Sequence, residues 1–107
     1  MTLREANALA IPQLMPIAKR CLIAGRVQGV FYRATTRLKA LELGVQGHAK
    51  NLPDGRVEVL ACGETEQIEQ FVQWLWQGSP ASHVTEVQVE DVAIAALESV
   101  PHTFSTR

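Results

Sequence analysis

Arg33 and Asn51 are the two side chains of this sequence whose types and neighbours could handle a small anionic substrate. Arg33 closes the stretch Gly25-Arg26-Val27-Gln28-Gly29-Val30-Phe31-Tyr32-Arg33, which follows the apolar run Cys21-Leu22-Ile23-Ala24. Its guanidinium is a planar, permanently charged fork suited to phosphate or carboxylate. The two glycines allow a tight bend that exposes backbone N–H groups, and helical periodicity begins just after them. A strand, a glycine turn and a helix N-terminus favour negative charge together, through free N–H groups and the helix dipole. Short glycine motifs recur widely, so the spacing alone leaves open a plain strand-to-helix turn with a surface arginine. Asn51 carries both a donor and an acceptor. On its own it reads as a turn asparagine ahead of Pro53-Asp54-Gly55.

The elements around these residues decide between the two readings. Residues 19–26 read as a strand. Phe31, Ala34, Leu38, Leu41 and Val45 recur at spacings of three and four, which marks an amphipathic helix with these residues as its apolar side. Gly44 is a natural C-terminal cap, so the helix is expected over 32–43. A second strand follows over 45–52, then the Pro53-Asp54-Gly55 turn, then an alternating strand over 56–61, making a hairpin. Gly63 ends that strand. Glu64, Glu66 and Glu69 open a second helix whose inner stripe is Ile68, Phe71, Val72 and Leu75, stopped by Gly78-Ser79-Pro80. Trp74 and Trp76 flank the stripe and are expected to pack rather than to stack on a ligand. A long strand over 83–92 holds Val84, Val87, Val89 and Val92, and a short fifth strand is possible around Phe104.

The order β-α-β-β-α-β defines an α+β sandwich, a mostly antiparallel sheet with two helices on one face. In this order strands one and two run parallel, so their C-terminal ends share one edge of the sheet. Topology thereby brings Gln28 to Arg33 near Lys50 and Asn51. Opposite an arginine-and-amide cradle, Asn51 becomes a group that could position a water or a carbonyl oxygen.

Composition narrows the function classes. A chain of 107 residues is expected to form one domain, and 47% hydrophobic with 20% charged residues is the balance of a soluble globular protein. No apolar run approaches the ~20 residues of a membrane span. Residues 19–56 hold eight Lys/Arg and two acids, whereas 57–107 hold one base and eight acids. Such a field can steer an anionic substrate, although solvated faces of opposite sign would look the same. Cys21 and Cys62 fit no metal spacing and are expected to be free thiols in a reducing cytoplasm, with a cross-strand disulfide left open by topology. Residues 1–17 read as a flexible N-terminal extension and 18–107 as the folded unit. The extension, with Pro12 and Pro16 cutting its apolar stretch, is a poor signal peptide. The two motifs hold no Ser/His/Asp set, metal cluster or carboxylate pair, and His48, His83 and His102 are scattered.

Ile23 to Arg33 resembles the first signature of the acylphosphatase family. Gly47-His48-Ala49-Lys50-Asn51-Leu52-Pro53-Asp54-Gly55-Arg56-Val57, with Gly63 beyond it, resembles the second. The resemblance covers residues 19–107 and agrees with the family's ferredoxin-like fold. It departs at His48, where the family usually has an aromatic, and at Tyr32, where it has mostly Phe. The resemblance implies hydrolysis of an acyl phosphate to a carboxylate and inorganic phosphate; a monomer is the default expectation, and the free thiols suit a cytoplasmic location. Arg33 and the backbone N–H groups of Gln28, Gly29, Val30, Phe31 and Tyr32 would bind the phosphate, and Asn51 would orient the attacking water. It implies no metal, cofactor or covalent intermediate, and no nucleic-acid or membrane partner. The alternatives are a non-catalytic phosphate or carbamoyl-phosphate-type binding module of the same fold, a structural or interaction partner with a relic site, and an RNA binder. Absence of aromatics from Cys21 to Gly25 and from Arg56 to Ala61 removes the stacking platform the latter needs.

Overall fold

The structure is a computed structural model that describes residues 16–97 and 99–107. Along them run β1 (Ile17–Arg26), α1 (Tyr32–Leu43), β2 (Gln46–Asn51), β3 (Val57–Gly63), α2 (Thr65–Gln77), β4 (His83–Val92) and β5 (Phe104–Thr106), with a 3-10 turn at Ile94–Ala96. The expected order is present, fifth strand included. β1 starts two residues earlier than expected, and β3 runs on to Gly63. Of the flexible arm expected over residues 1–17, residues 1–15 lie outside the described residues, and Ile17 already belongs to β1.

The strands lie in the order β4-β1-β3-β2-β5. β1 is antiparallel to β3 and β4, β2 is antiparallel to β3, and β5 runs parallel to β2. β1 and β2 therefore point the same way on either side of β3, and their C-terminal ends share one sheet edge. Gly47 sits deep in this arrangement: at φ 144°, any Cβ there would meet the Leu60 carbonyl oxygen at 1.8 Å. Only glycine permits that close approach. In the hairpin, Leu52 N–H donates to Arg56 O (2.8 Å). Asp54 accepts from the Arg56 N–H (3.1 Å) and Nε (2.8 Å). These bonds, the backbone one foremost, hold the Asp54 carboxyl below its ordinary range.

Alternation along the strands sends Cys21, Ile23, Ala49, Val57, Val59 and Ala61 toward the helices, where they pack with Ile68, Phe71, Leu75 and Phe104. The opposite face buries a smaller cluster, Ala18, Leu60 and Cys62, under Val92, Ile94 and Leu97. The two cysteines thus face opposite sides of the sheet, and both are free. That geometry removes the disulfide left open above. On α2 the expected stripe is inward. Trp74 lies parallel to Phe71 at a centroid distance of 6.5 Å, while Trp76 is exposed.

α1 corrects an expectation. Its buried residues are Tyr32, Thr36 and Ala40, and the predicted stripe faces water instead, with Phe31 82%, Leu38 64% and Leu41 45% exposed. Tyr32 sets the rotation. Its ring packs against Trp74 (centroids 6.3 Å apart), and its hydroxyl donates to the Leu75 carbonyl oxygen at 2.7 Å. One and two turns on, the small residues Thr36 and Ala40 let the helix lie close to the sheet, and the edge of Phe104 against Phe71 fills the core beside them. Arg37 Nε fastens the helix to the Phe104 carbonyl oxygen at 3.2 Å. Val45 lies beyond the Gly44 cap, so it was never in phase with the helix.

Candidate active site

The β1–α1 connection is a bent backbone with few side chains to explain it. Gly29 has φ 75° and Phe31 φ 62°, the one non-glycine residue with positive φ among the described residues. Left-handed residues alternating with right-handed ones turn successive N–H groups toward a common centre, the anion-binding concavity called a nest. Nothing would crowd a Cβ at Gly29, so its glycine answers to backbone conformation and not to space. For a bulky residue such as Phe31 that conformation costs roughly 1–2 kcal/mol, so the surroundings must hold it. They do so on three sides. Thr35 donates twice to the Phe31 carbonyl oxygen, from N–H (3.0 Å) and Oγ1 (2.8 Å). Ser79 Oγ donates to Val30 O at 2.7 Å. Gln28 Nε2 donates to Leu52 O (2.8 Å) and Arg56 O (2.9 Å), tying the loop to the β2–β3 turn. No side chain caps the N-terminus of α1, which leaves the N–H groups of its first turn facing the loop.

Beside the loop lies a cleft of about 260 Å³ lined by Val27, Gly29, Phe31, Tyr32, Arg33, Ala34 and Asn51. Arg33 arrives on the first turn of α1 and Asn51 on the last residue of β2, so the shared sheet edge brings them together as topology required. Asn51 Oδ1 is buried and has no hydrogen-bond partner among the described residues. A buried acceptor left unpaired is costly unless a donor reaches it, and Asn51 is one of the residues that line the cleft. Arg33 Nη1 donates to the main-chain oxygen of Arg107. That residue is itself hooked to β2 through its N–H to Ala49 O at 2.8 Å. One end of the guanidinium is therefore engaged by the chain itself.

Of the residues expected at the site, Gly29, Phe31, Tyr32, Arg33 and Asn51 line the cleft. Gln28 and Val30 do not: the amide of Gln28 is spent on the neighbouring turn, and Val30 packs against the core. Both still shape the loop. Sequence reasoning missed Thr35, Ser79 and Arg107, which brace the loop and the arginine. His48, the departure noted above, is on the far face of the sheet, buried, with Nε2 3.1 Å from Glu58 Oε1. It borders a wider groove of about 510 Å³ that includes neither Arg33 nor Asn51. Among the described residues no group of His, Cys, Asp and Glu could hold a metal ion, and no helix is long and apolar enough to cross a membrane.

A loop with two left-handed residues, Arg33 and Asn51 thus meet at one cleft on a split βαβ sandwich. Residues 19–105 match the Acylphosphatase family, and the chain belongs to it. The acylphosphatase of Chromohalobacter salexigens is 56% identical over 88 residues, 79% of this chain and 93% of its own length. The structure of an acylphosphatase from Coxiella burnetii superposes with a TM-score of 0.81 at 35% identity, covering 92% of this chain and 99% of that one. The acylphosphatase from Bacillus subtilis gives 0.78 at 37% identity, covering 85% and 98%.

Proposed function

We propose that this cleft hydrolyses acyl phosphates, with Arg33 and the N–H groups of Gln28 to Tyr32 holding the phosphate and Asn51 orienting the attacking water. The observation that carries this reading is the buried, unpaired Oδ1 of Asn51 in one cleft with the braced Arg33. Oδ1 accepts one hydrogen of the water and aims its oxygen at phosphorus. A water O–P bond forms, the bond from phosphorus to the acyl oxygen breaks, and a carboxylate leaves. The water proton passes to an oxygen of the substrate's own phosphate, so no protein base is required. An acyl phosphate is already activated, which leaves the protein two tasks, positioning and charge stabilisation. The unit spanning residues 18–107 performs them as a monomer, without metal or cofactor. Two buried free thiols suit a reducing cytoplasm.

The test is turnover of acetyl phosphate by the wild type and by Arg33→Ala, each with and without a chelator. Wild-type turnover should persist with chelator present, and Arg33→Ala should lose at least about a hundredfold in rate while still unfolding cooperatively. A wild type that binds phosphate and turns over nothing would instead be the non-catalytic binding module.

A further inference from the structure

The phosphate half of the cleft is the same for every acyl phosphate, so any preference among substrates comes from what meets the acyl group. We propose that Phe31 is the acyl-recognition residue of this site and that it selects substrates with aromatic or bulky apolar acyl groups. This rests on the reading of the cleft as an acyl phosphate site.

Three observations lead there. Phe31 is 82% exposed although it lines the cleft with Arg33 and Asn51. A phenyl ring held in water does nothing for the fold, so burial in the core cannot be the reason for phenylalanine at this position. Its backbone is left-handed, a conformation that glycine or asparagine would adopt at less cost. The surroundings nonetheless fasten that backbone through the two Thr35 bonds to its carbonyl oxygen. A costly conformation kept in place by its neighbours thus holds an apolar ring at the cleft, where an acyl group can meet it.

The direction of the substrate agrees. Arg33, the loop N–H groups and Asn51 serve the phosphate and the water, so the acyl group falls to the rest of the cleft lining. Among the apolar residues that line the cleft, Val27 and Tyr32 are each only 1% exposed and belong to the core. Phe31 and Ala34, both exposed, are the apolar surface left for an acyl group. An aromatic acyl group laid on the Phe31 ring removes on the order of 60 Å² of apolar surface from water, worth about tenfold in kcat/KM at ~25 cal/mol per Å².

The experiment compares kcat/KM for benzoyl phosphate and acetyl phosphate in the wild type, Phe31→Ala, Phe31→Leu and Phe31→Tyr. Because both substrates share the phosphate, any disturbance of the loop affects both, and the benzoyl-to-acetyl ratio isolates the acyl contact. The ratio should fall about tenfold in Phe31→Ala relative to wild type, fall less in Phe31→Leu, and be restored in Phe31→Tyr. Phe31→Leu keeps the test open where the alanine variant does not fold. A ratio unchanged within about twofold in the alanine or leucine variant overturns the inference while leaving acyl phosphate hydrolysis intact. A wild type that turns over neither substrate overturns both.

Discussion

Replacing Arg33 with lysine keeps the positive charge and removes the fork, so it separates geometry from charge. One end of the guanidinium is committed to the Arg107 main-chain oxygen, and the rest faces the cleft. A lysine ammonium concentrates its donors at one point and cannot hold that oxygen and two phosphate oxygens together. Each charged hydrogen bond contributes ~1.5–3 kcal/mol. The loss of one to two of them corresponds to a fall in kcat/KM of roughly ten to a few tens of thousandfold. Initial rates on acetyl phosphate over a range of concentrations, for wild type, Arg33→Lys and Arg33→Ala, give the comparison. Lysine should lie far closer to alanine than to the wild type. Near-normal turnover by the lysine variant would refute the forked contact, since charge alone would then be sufficient.

Other outcomes follow from single contacts. Asn51→Ala should lower kcat by at least about tenfold with little change in inhibition by inorganic phosphate, and an effect confined to KM would remove its water-orienting role. Ser79→Ala takes away the donor to Val30 O, so the melting temperature should fall by several degrees for a loss of ~1 kcal/mol, with kcat/KM falling too as the loop loosens; an unchanged melting curve would show that this brace carries no weight. Burial pushes the Cys21 thiol up to about 11, leaving about one in a thousand as thiolate at pH 8. Thiol reagents should therefore leave Cys21 unmodified in the native protein and label it once the chain is unfolded, with native labelling rising as the pH climbs toward 11. Rapid native labelling at pH 8 would contradict that environment.

Strands, hairpin, second helix and the meeting of Arg33 with Asn51 were all legible in the sequence because each follows from local signals. Alternation, the Pro53-Asp54-Gly55 turn and the parallel run of β1 and β2 need no distant information. The face of α1 was not legible. Its apolar spacing, Phe31, Ala34, Leu38 and Leu41, describes a stripe that the structure leaves in water, because the helix is oriented by one tyrosine reaching Leu75. A pattern of residue types cannot register a contact between two helices. Ser79 and Arg107 escaped notice for a related reason. A loop serine and a residue past a three-residue strand carry no periodicity: Ser79 finds Val30 across 49 positions, and Arg107 is placed only when β5 settles in register against β2.

The attachment of Arg33 to Arg107 also ties the cleft to the order in which the chain assembles. The two residues are 74 positions apart, and the strand between them and the sheet is the short parallel pair β2–β5. Contacts that close so long a loop carry a large entropic cost and tend to form late. The hairpin and the packing of Trp74 on Phe71 draw on nearer neighbours. During refolding, tryptophan fluorescence should therefore recover ahead of enzymatic activity. Aiming the arginine then waits on contacts that close the longest loops of the fold, as the pairing of β1 with β4 also does.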